Sequence, residues 1–215
     1  IPDLPPAMPR LRRQLLLSRM IMARDDTMSA AHAARLANEL GGLIDEVQTE
    51  RLSFADFEKI VPERFSQHWQ ETLLFLQIVT EHWPAILAEH GCLDAADRRN
   101  RLVAAQIALW QQVPPAGSVI AAGSTGSIPA TADLLACIAE LETGLLILPG
   151  LDKTLDADSL AALGPSHPQY GMVRLLRRID VEIDDVGDWH DPSQNLNLRI
   201  DTMNGALRPP ATAAA

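Results

Sequence analysis

The chain has 215 residues, of which 47 % are hydrophobic and 21 % charged. This composition is typical of a globular protein and excludes a disordered or collagen-like chain. Its 28 acidic residues outnumber 18 basic ones, which gives a formal net charge of −10. An acidic surface repels a phosphate backbone unless basic residues are clustered. At roughly 100–200 residues per domain, the length predicts one large domain or two small ones.

Two observations predict where the protein works. Its two cysteines, Cys92 and Cys137, cannot build a disulfide framework, so we expect a reducing, cytoplasmic setting. No apolar run approaches the roughly 18–20 residues that a membrane helix needs, and the first residues do not resemble a signal peptide. We therefore expect no membrane partner. Since the chain begins with Ile1 rather than methionine, we also expect it to be part of a longer protein.

Residues 1–113 are predicted to form a helical bundle. Apolar residues recur at intervals of three and four, which predicts helices over about 9–24 and 29–49. The apolar stripe of the second helix is Leu36, Leu40, Leu43 and Val47.

Two or three further helices are predicted in this half. Trp69 to Leu87 reads as a long helix, with a break near Trp83 because Pro84 has no amide hydrogen to donate. Gly91 is its expected C-terminal cap. The remaining signals are Ser53 with Asp56, which start a short helix before Pro62, and Asp94 with Asp97, which start a helix carrying Val103, Ile107 and Trp110 on one side.

The pattern changes at Val113-Pro114-Pro115-Ala116-Gly117, which we take as the boundary of a second, partial α/β domain over 114–215. The run 118–122 predicts a strand buried on both faces, because it is short, uncharged and rich in β-branched residues. A helix after Pro129 and a second strand over 145–148 complete a parallel crossover. Two strands do not make a stable parallel sheet. We therefore expect further strands from elsewhere.

The remainder of the second domain is predicted to hold polar C-terminal helices over 168–179 and 195–207, followed by a disordered tail from Pro209. The predicted fold class is thus mainly α, with a small parallel α/β part.

The loop between the first strand and its helix is the leading candidate for a binding site. Ser124, Thr125, Gly126 and Ser127 expose amides and hydroxyls that can hold an anionic ligand or contact DNA. The loop contains no Gly-Lys-Ser/Thr, so it is not a Walker A loop. It is not a Gly-x-Ser-x-Gly nucleophile elbow either, because Ser124 directly follows Gly123. The competing interpretation is a plain strand-to-helix turn.

Three arginine triplets are the candidate contacts for a nucleic acid backbone. We single out Arg98, Arg99 and Arg101, although such triplets are common on the solvated faces of soluble helices. The other two triplets are Arg10, Arg12 and Arg13, and Arg174, Arg177 and Arg178.

No catalytic residue and no metal ligand are predicted. His68, His82 and His90 lie near glutamates and Cys92, but no pair has the spacing of a zinc motif. The aspartates of 180–191 lack the order of a calcium loop. Of the four tryptophans, Trp69, Trp83 and Trp110 fall on core stripes, where packing is favoured over stacking on bases.

Several stretches together resemble the N-terminal region of AddB, the double-strand break repair subunit of bacterial AddAB helicase-nucleases. The most specific is Val119-Ile-Ala-Ala-Gly-Ser-Thr-Gly-Ser-Ile-Pro-Ala-Thr-Ala-Asp-Leu-Leu135. The others are residues 9–17, 68–70, 75–84, 97–102, 148–152, 164–170 and 206–209. The resemblance covers nearly all of this chain but a minority of the family's longer one.

The resemblance implies a helicase-like core, with a helical domain 1B joined to part of a P-loop-like domain 1A. In active relatives the strand matching 119–123 ends in an Asp-Glu pair that holds Mg²⁺ for ATP hydrolysis. Here those positions read Ala121-Ala122-Gly123, which implies an inactivated helicase scaffold without a cofactor of its own. ATP, Mg²⁺ and an iron-sulfur cluster are implied only for the parent complex, whose partners are an AddA-type helicase-nuclease subunit and DNA.

Two other functions stay open from the residues alone. The chain could be a small cytoplasmic enzyme that binds an anionic ligand at Gly123 to Ser127 and uses a nearby histidine as acid or base. It could also be a helical protein-interaction module that meets neither DNA nor nucleotide.

Overall fold

The computed structural model describes residues 3–24, 27–52, 78–189, 194–209 and 212. They are mainly helical, with one two-stranded parallel sheet. The chain divides into two compact units, Ile1–Gln106 and Ile107–Ala215.

Some predictions fall outside the described residues. These are the short helix after Ser53, the part of the long helix from Trp69 to Gln77, and the surroundings of His68 and His190. The same holds for most of the predicted disordered tail. Within that tail, Pro209 is buried and the Thr212 amide donates to the Pro209 carbonyl at 2.9 Å.

The first unit is built from helices, as the apolar spacing predicts. The helices predicted over 9–24 and 29–49 are confirmed as α1 and α2. The described elements are α1 (Arg10–Met22), α2 (Ala30–Thr49), a π-helical turn (Ile78–His82), α3 (Trp83–Glu89) and α4 (Ala95–Gln112). The division between the two units falls inside α4, and the predicted boundary at 113/114 follows the end of that helix.

The buried stripe of α2 is rotated around the helix relative to the predicted stripe. Leu40 and Val47 are buried as expected, but Leu43 is 36 % exposed. The helix instead turns Ala33, Ala37 and Ile44 into the core. Alanines are weak signals in a hydrophobic pattern, yet they let α1 and α2 pack closely, so the stripe is shifted around the helix.

The helix break predicted at Pro84 is confirmed as a change of helix type. The chain runs as a π-helical turn to His82 and continues as α3 from Trp83. Gly91 ends α3 with a φ of +57°, and the next amide, that of Cys92, donates to the Leu87 carbonyl at 2.9 Å. This is the glycine cap that the sequence predicts.

Arg13 is an exception to the predicted solvated arginines, because its side chain is buried. Its Nη1 donates to both carboxylate oxygens of Asp45, at 2.8 and 2.9 Å. Its Nε lies 3.0 Å from Oδ1 of Asp94, an ion pair without hydrogen-bond alignment. The other oxygen of Asp94 accepts from the Trp83 indole and the Gln48 amide, both at 2.9 Å. One fully buried carboxylate thus joins α1, α2, α3 and the start of α4.

The second unit contains the predicted crossover. Its two strands pair in parallel, with Val119 opposite Gly144 and Ala122 opposite Ile147. Its described elements are β1 (Val119–Ala122), α5 (Pro129–Glu140), β2 (Gly144–Ile147), α6 (Ala157–Ala162), α7 (Tyr170–Arg178), a 3₁₀ turn (Ile183–Asp185) and α8 (Gln194–Leu207). The helices predicted over 168–179 and 195–207 are therefore confirmed as α7 and α8.

The prediction that β1 is buried on both faces is wrong. Its residues alternate between partly buried and exposed, and Ile120 is 59 % exposed. Leu145, its partner on β2, is 41 % exposed. Helix α5 packs on the strands, and the alternation indicates that it covers the face opposite Ile120. The described residues thus cover one face of the sheet, although the uncharged sequence of β1 predicts cover on both faces.

The segment after β2 is held by a buried polar cluster. Oδ1 of Asp152 accepts from the amide and hydroxyl of Thr154, at 2.9 and 2.6 Å, and from the Asn204 side chain at 2.9 Å. The Gln169 side chain bonds the Asp152 amide and the Gly150 carbonyl. These bonds fasten α7 and α8 to the chain that leaves the sheet.

Asp156 caps α6, and this cap predicts a pH-dependent contribution to stability. The Ser159 amide, 2.8 Å from Oδ1, and the Ser159 hydroxyl lower the pKa of Asp156. A carboxyl with a lowered pKa stabilises the fold above its unfolded-state pKa, and this stabilisation is lost as the pH falls through the folded-state pKa. We expect Asp156→Ala to lower the melting temperature at neutral pH and to have little effect in acid. Asp156→Asn, which still caps, should show no such pH dependence.

Candidate functional site

The candidate loop connects β1 to α5 and is a tight, internally bonded turn. Gly123 and Gly126 have φ values of +77° and +64°, which favour glycine. The Gly126 amide donates to the Ser124 hydroxyl at 3.4 Å, and the Thr125 hydroxyl donates to that of Ser127 at 3.3 Å. The glycines that suggest anion binding in the sequence are therefore also required by the backbone conformation of the turn.

Helix α7 packs directly against this loop. A Cβ added to Gly171 would lie 2.9 Å from the Thr125 carbonyl oxygen and 3.1 Å from Cα of Ser127. Gly126 is buried, and a Cβ there would lie 3.3 Å from the Leu175 side chain. Ser127 remains exposed. The loop thus offers a hydroxyl to solvent at one end, while α7 lies close against its middle.

This packing predicts an unusual response to a helix substitution. Gly→Ala inside a helix ordinarily stabilises by roughly 0.5–1 kcal/mol. We expect Gly171→Ala instead to destabilise the second unit by about 1–3 kcal/mol, because its methyl group meets backbone atoms of the loop. The matched control is Gly205→Ala in α8, where a Cβ meets nothing within 4 Å and the ordinary stabilisation is expected. Urea denaturation of both variants measures the difference.

The end of β1 carries no acid or base. Ala121, Ala122 and Gly123 occupy the positions that would place a side chain beside the loop. In α5, Asp133 forms an ion pair with Arg178 of α7. Burial, with a smaller contribution from Glu140, raises the pKa of the Cys137 thiol, which makes it a poor nucleophile at neutral pH. The side chains around this turn therefore support packing and ion pairing rather than proton transfer.

The second set of candidate residues is engaged within the protein. Arg98 Nε donates to the Pro5 carbonyl at 3.0 Å, and Arg99 Nη2 donates to the Thr49 hydroxyl at 2.9 Å. Arg101 forms an ion pair with Asp97 one turn earlier at 2.9 Å. All three lie in the first unit, whereas the loop lies in the second. Two of the three tie α4 to the elements before it, so the triplet is more than a solvated face.

Among the described residues, the histidines near Cys92 do not form a metal site. His90 Nδ1 lies 3.2 Å from Arg12 Nη2, and the Cys92 thiol donates to the His90 carbonyl. Across residues 3–24, 27–52, 78–189 and 194–209, no three His, Cys, Asp or Glu side chains gather as metal ligands would.

A groove along β2 was not predicted from the sequence. It has a volume of about 600 Å³ and is lined by β2 with the residues that follow it, by α7 and by 181–189. Lys153 Nζ donates to the Val186 carbonyl at 2.7 Å and pairs with Asp188 at 3.3 Å, which holds 181–189 in place. Trp189 lies at its rim, 75 % exposed. The one available signal was this tryptophan, isolated in an acidic stretch and away from every apolar stripe.

Every helix in the described parts of the chain is too short or too polar to span a bilayer. No family model, curated protein or solved structure matches the chain. The resemblance to AddB therefore remains a prediction from the sequence.

Proposed function

We propose that the chain is a non-catalytic region of an AddB-type subunit, in which an inactivated helicase fold assembles with a catalytic helicase-nuclease partner and guides DNA during double-strand break repair. In this proposal the first unit corresponds to helicase domain 1B and the second to part of domain 1A, in a cytoplasmic complex. ATP, Mg²⁺ and the iron-sulfur cluster belong to the parent complex rather than to these residues.

One observation carries the proposal, namely how β1 ends. A parallel crossover places the loop after β1 at the edge of the sheet where nucleotide-binding folds hold phosphates and metal. Here the strand ends in Ala121 and Ala122, no lysine lies in the loop, and α7 packs on it at Gly171. A parallel crossover whose first loop lacks acidic and lysine side chains supports a scaffold role over ATP hydrolysis. The same packing disfavours the alternative of an enzyme with its anion site at Gly123 to Ser127.

The proposal is tested by assembly with a partner. The purified chain is mixed with an AddA-type helicase-nuclease subunit, and complex formation is measured by sedimentation, with an unrelated helicase as the control. We expect a defined complex with the AddA-type subunit only. Failure to associate, or equal association with both helicases, would contradict the proposal.

Binding to DNA by the isolated chain should be weak and sensitive to salt. The chain is net acidic, and the arginines of α4 have partners within the protein. We expect binding to a single-stranded oligonucleotide, followed by fluorescence anisotropy, to disappear between about 50 and 200 mM salt. Tight binding that persists at high salt would contradict a guiding role that depends on the partner.

A further inference from the structure

Helix α1 carries a second line of apolar side chains besides the one that faces the core. Leu11, Leu15 and Met22 are 68 %, 57 % and 37 % exposed. Their spacing of four and seven residues places them along one side of a helix. Leu17 and Ile21 of the same helix lie in the core. We call the exposed line of three residues the α1 ridge.

A groove of about 440 Å³ lies beside the α1 ridge, between α1 and the first half of α2. Leu15 and Met22 of the ridge line it, together with Ala30 and Ala34 of α2. Because alanine side chains are short, another backbone can approach this part of α2 closely. Isolated exposed leucines are ordinary on a protein surface, but a line of apolar residues beside a groove is typical of an interaction surface.

The groove is cationic. Arg12 and Arg19 line it and are exposed, and no described acidic residue lines it. The two arginines are seven residues apart, so they lie two turns apart on the same side of the ridge. Arg12 Nη2 lies 3.2 Å from His90 Nδ1, and no carboxylate among the described residues forms an ion pair with either arginine. In a chain with a net charge of −10, this charge is complementary to an acidic partner.

A helix fits this groove better than an extended peptide or a nucleic acid. The backbone groups of α1 and α2 bond within each helix, so the groove offers side chains alone. An extended peptide would leave its own backbone groups unpaired against apolar side chains, whereas a helix pairs them internally. A helix also presents side chains at intervals of three and four residues, which match the ridge. A phosphate backbone would pair with the arginines and leave the α1 ridge in water.

We propose that the α1 ridge and its groove bind an acidic, amphipathic helix of a partner protein. The apolar side chains of that helix pack against the ridge, and its carboxylates face Arg12 and Arg19. The ridge is about 16 Å long, so a helix of roughly three to four turns covers it. This surface lies in the first unit, and the inference goes beyond the proposed function without depending on it.

The probe is a synthetic peptide of about four helical turns, with leucines at intervals of four and three residues and glutamates on both sides of them. A side-chain cross-link holds it helical, because so short a helix is marginal in water. Binding to the full chain is measured by fluorescence anisotropy. We expect saturable binding, about tenfold tighter than that of the same peptide with lysines in place of glutamates, and a difference that shrinks as salt is added.

A third peptide has the composition of the probe, but its leucines do not share one face of the helix. We expect it not to bind. Failure of the probe to bind, or equal binding by all three peptides, would overturn the inference.

Charge reversal tests the arginines without changing the apolar residues. The double variant Arg12→Glu with Arg19→Glu should bind the lysine peptide more tightly than the glutamate peptide. Arg174→Glu, which reverses an exposed arginine of α7 in the second unit, should keep the original preference. An original preference that persists in the double variant would overturn the inference.

Leu15→Glu tests the ridge itself. It should abolish binding of the probe and leave the melting temperature unchanged, because the side chain is exposed. Leu198→Glu, at a position that is 69 % exposed on α8, should leave both unchanged. If Leu15→Glu unfolds the chain, the ridge is covered within the protein and the inference is wrong. It is also wrong if the probe fails to bind while the double arginine variant loses affinity for a single-stranded oligonucleotide, since the surface then serves a nucleic acid.

Discussion

Asp94→Ala is expected to destabilise the first unit by roughly 3–5 kcal/mol, because removing one partner of a buried ion pair leaves its other groups unsatisfied. The side chain of Asp94 is fully buried. Its loss would leave the Trp83 indole and the Gln48 amide without this acceptor, and among the described residues Arg13 would keep one carboxylate partner, Asp45. Urea denaturation measures the loss of stability, and amide hydrogen exchange in α1 and α2 shows whether the loss is located in the first unit.

Asp97→Ala is the matched control for this effect. Asp97 lies one turn further along α4, and its ion pair with Arg101 has side chains that are 31 % and 53 % exposed. An exposed pair of this kind contributes at most about 1 kcal/mol. A loss for Asp94→Ala as small as that for Asp97→Ala would contradict the role given to the buried carboxylate.

The second large effect is expected at Gly144, the first residue of β2. A Cβ there would lie 1.8 Å from the Ile138 carbonyl oxygen and 3.2 Å from the Leu141 Cβ. The chain leaves α5 and enters β2 through this contact, with the Gly144 amide donating to the Leu141 carbonyl at 3.0 Å. Since the added Cβ is fixed to the backbone and meets a backbone carbonyl that cannot rotate away, we expect Gly144→Ala to destabilise the second unit by roughly 3 kcal/mol or more. Urea denaturation followed by hydrogen exchange of the α5 amides measures it.

Gly117→Ala controls for the substitution itself. No atom lies within 4 Å of a Cβ at that position, and its backbone is not left-handed. We expect no loss of stability there. If Gly144→Ala also caused no loss of stability, the close contact described between the end of α5 and the start of β2 would be contradicted.

The fold was predictable where local patterns decide it. Apolar spacing located α1 and α2, Pro84 and Gly91 marked the two ends of α3, and the glycine-bounded apolar runs located both strands. The buried face of α2 was misplaced because alanines carry its contact with α1. Arg13 was misjudged because its partners, Asp45 and Asp94, are distant in sequence, so that no local signal separates it from its exposed neighbours.

The candidate site was predictable in its position and not in its surroundings. The glycines and hydroxyls of the loop fixed its location between β1 and α5. Nothing local indicated that Gly171 packs against it, because the contact joins segments more than 40 residues apart. The groove beside β2 was missed for the same reason. Its walls, α7 and 181–189, follow β2 by more than 20 residues and come beside that strand only when the chain folds.

The most direct test of a scaffold without hydrolytic activity is magnesium-dependent ATP turnover by the purified chain, with and without single-stranded DNA. We expect a rate no higher than that of buffer, unchanged by Thr125→Ala or Ser127→Ala. Steady turnover that either substitution abolishes would mean that the loop after β1 is a working nucleotide site.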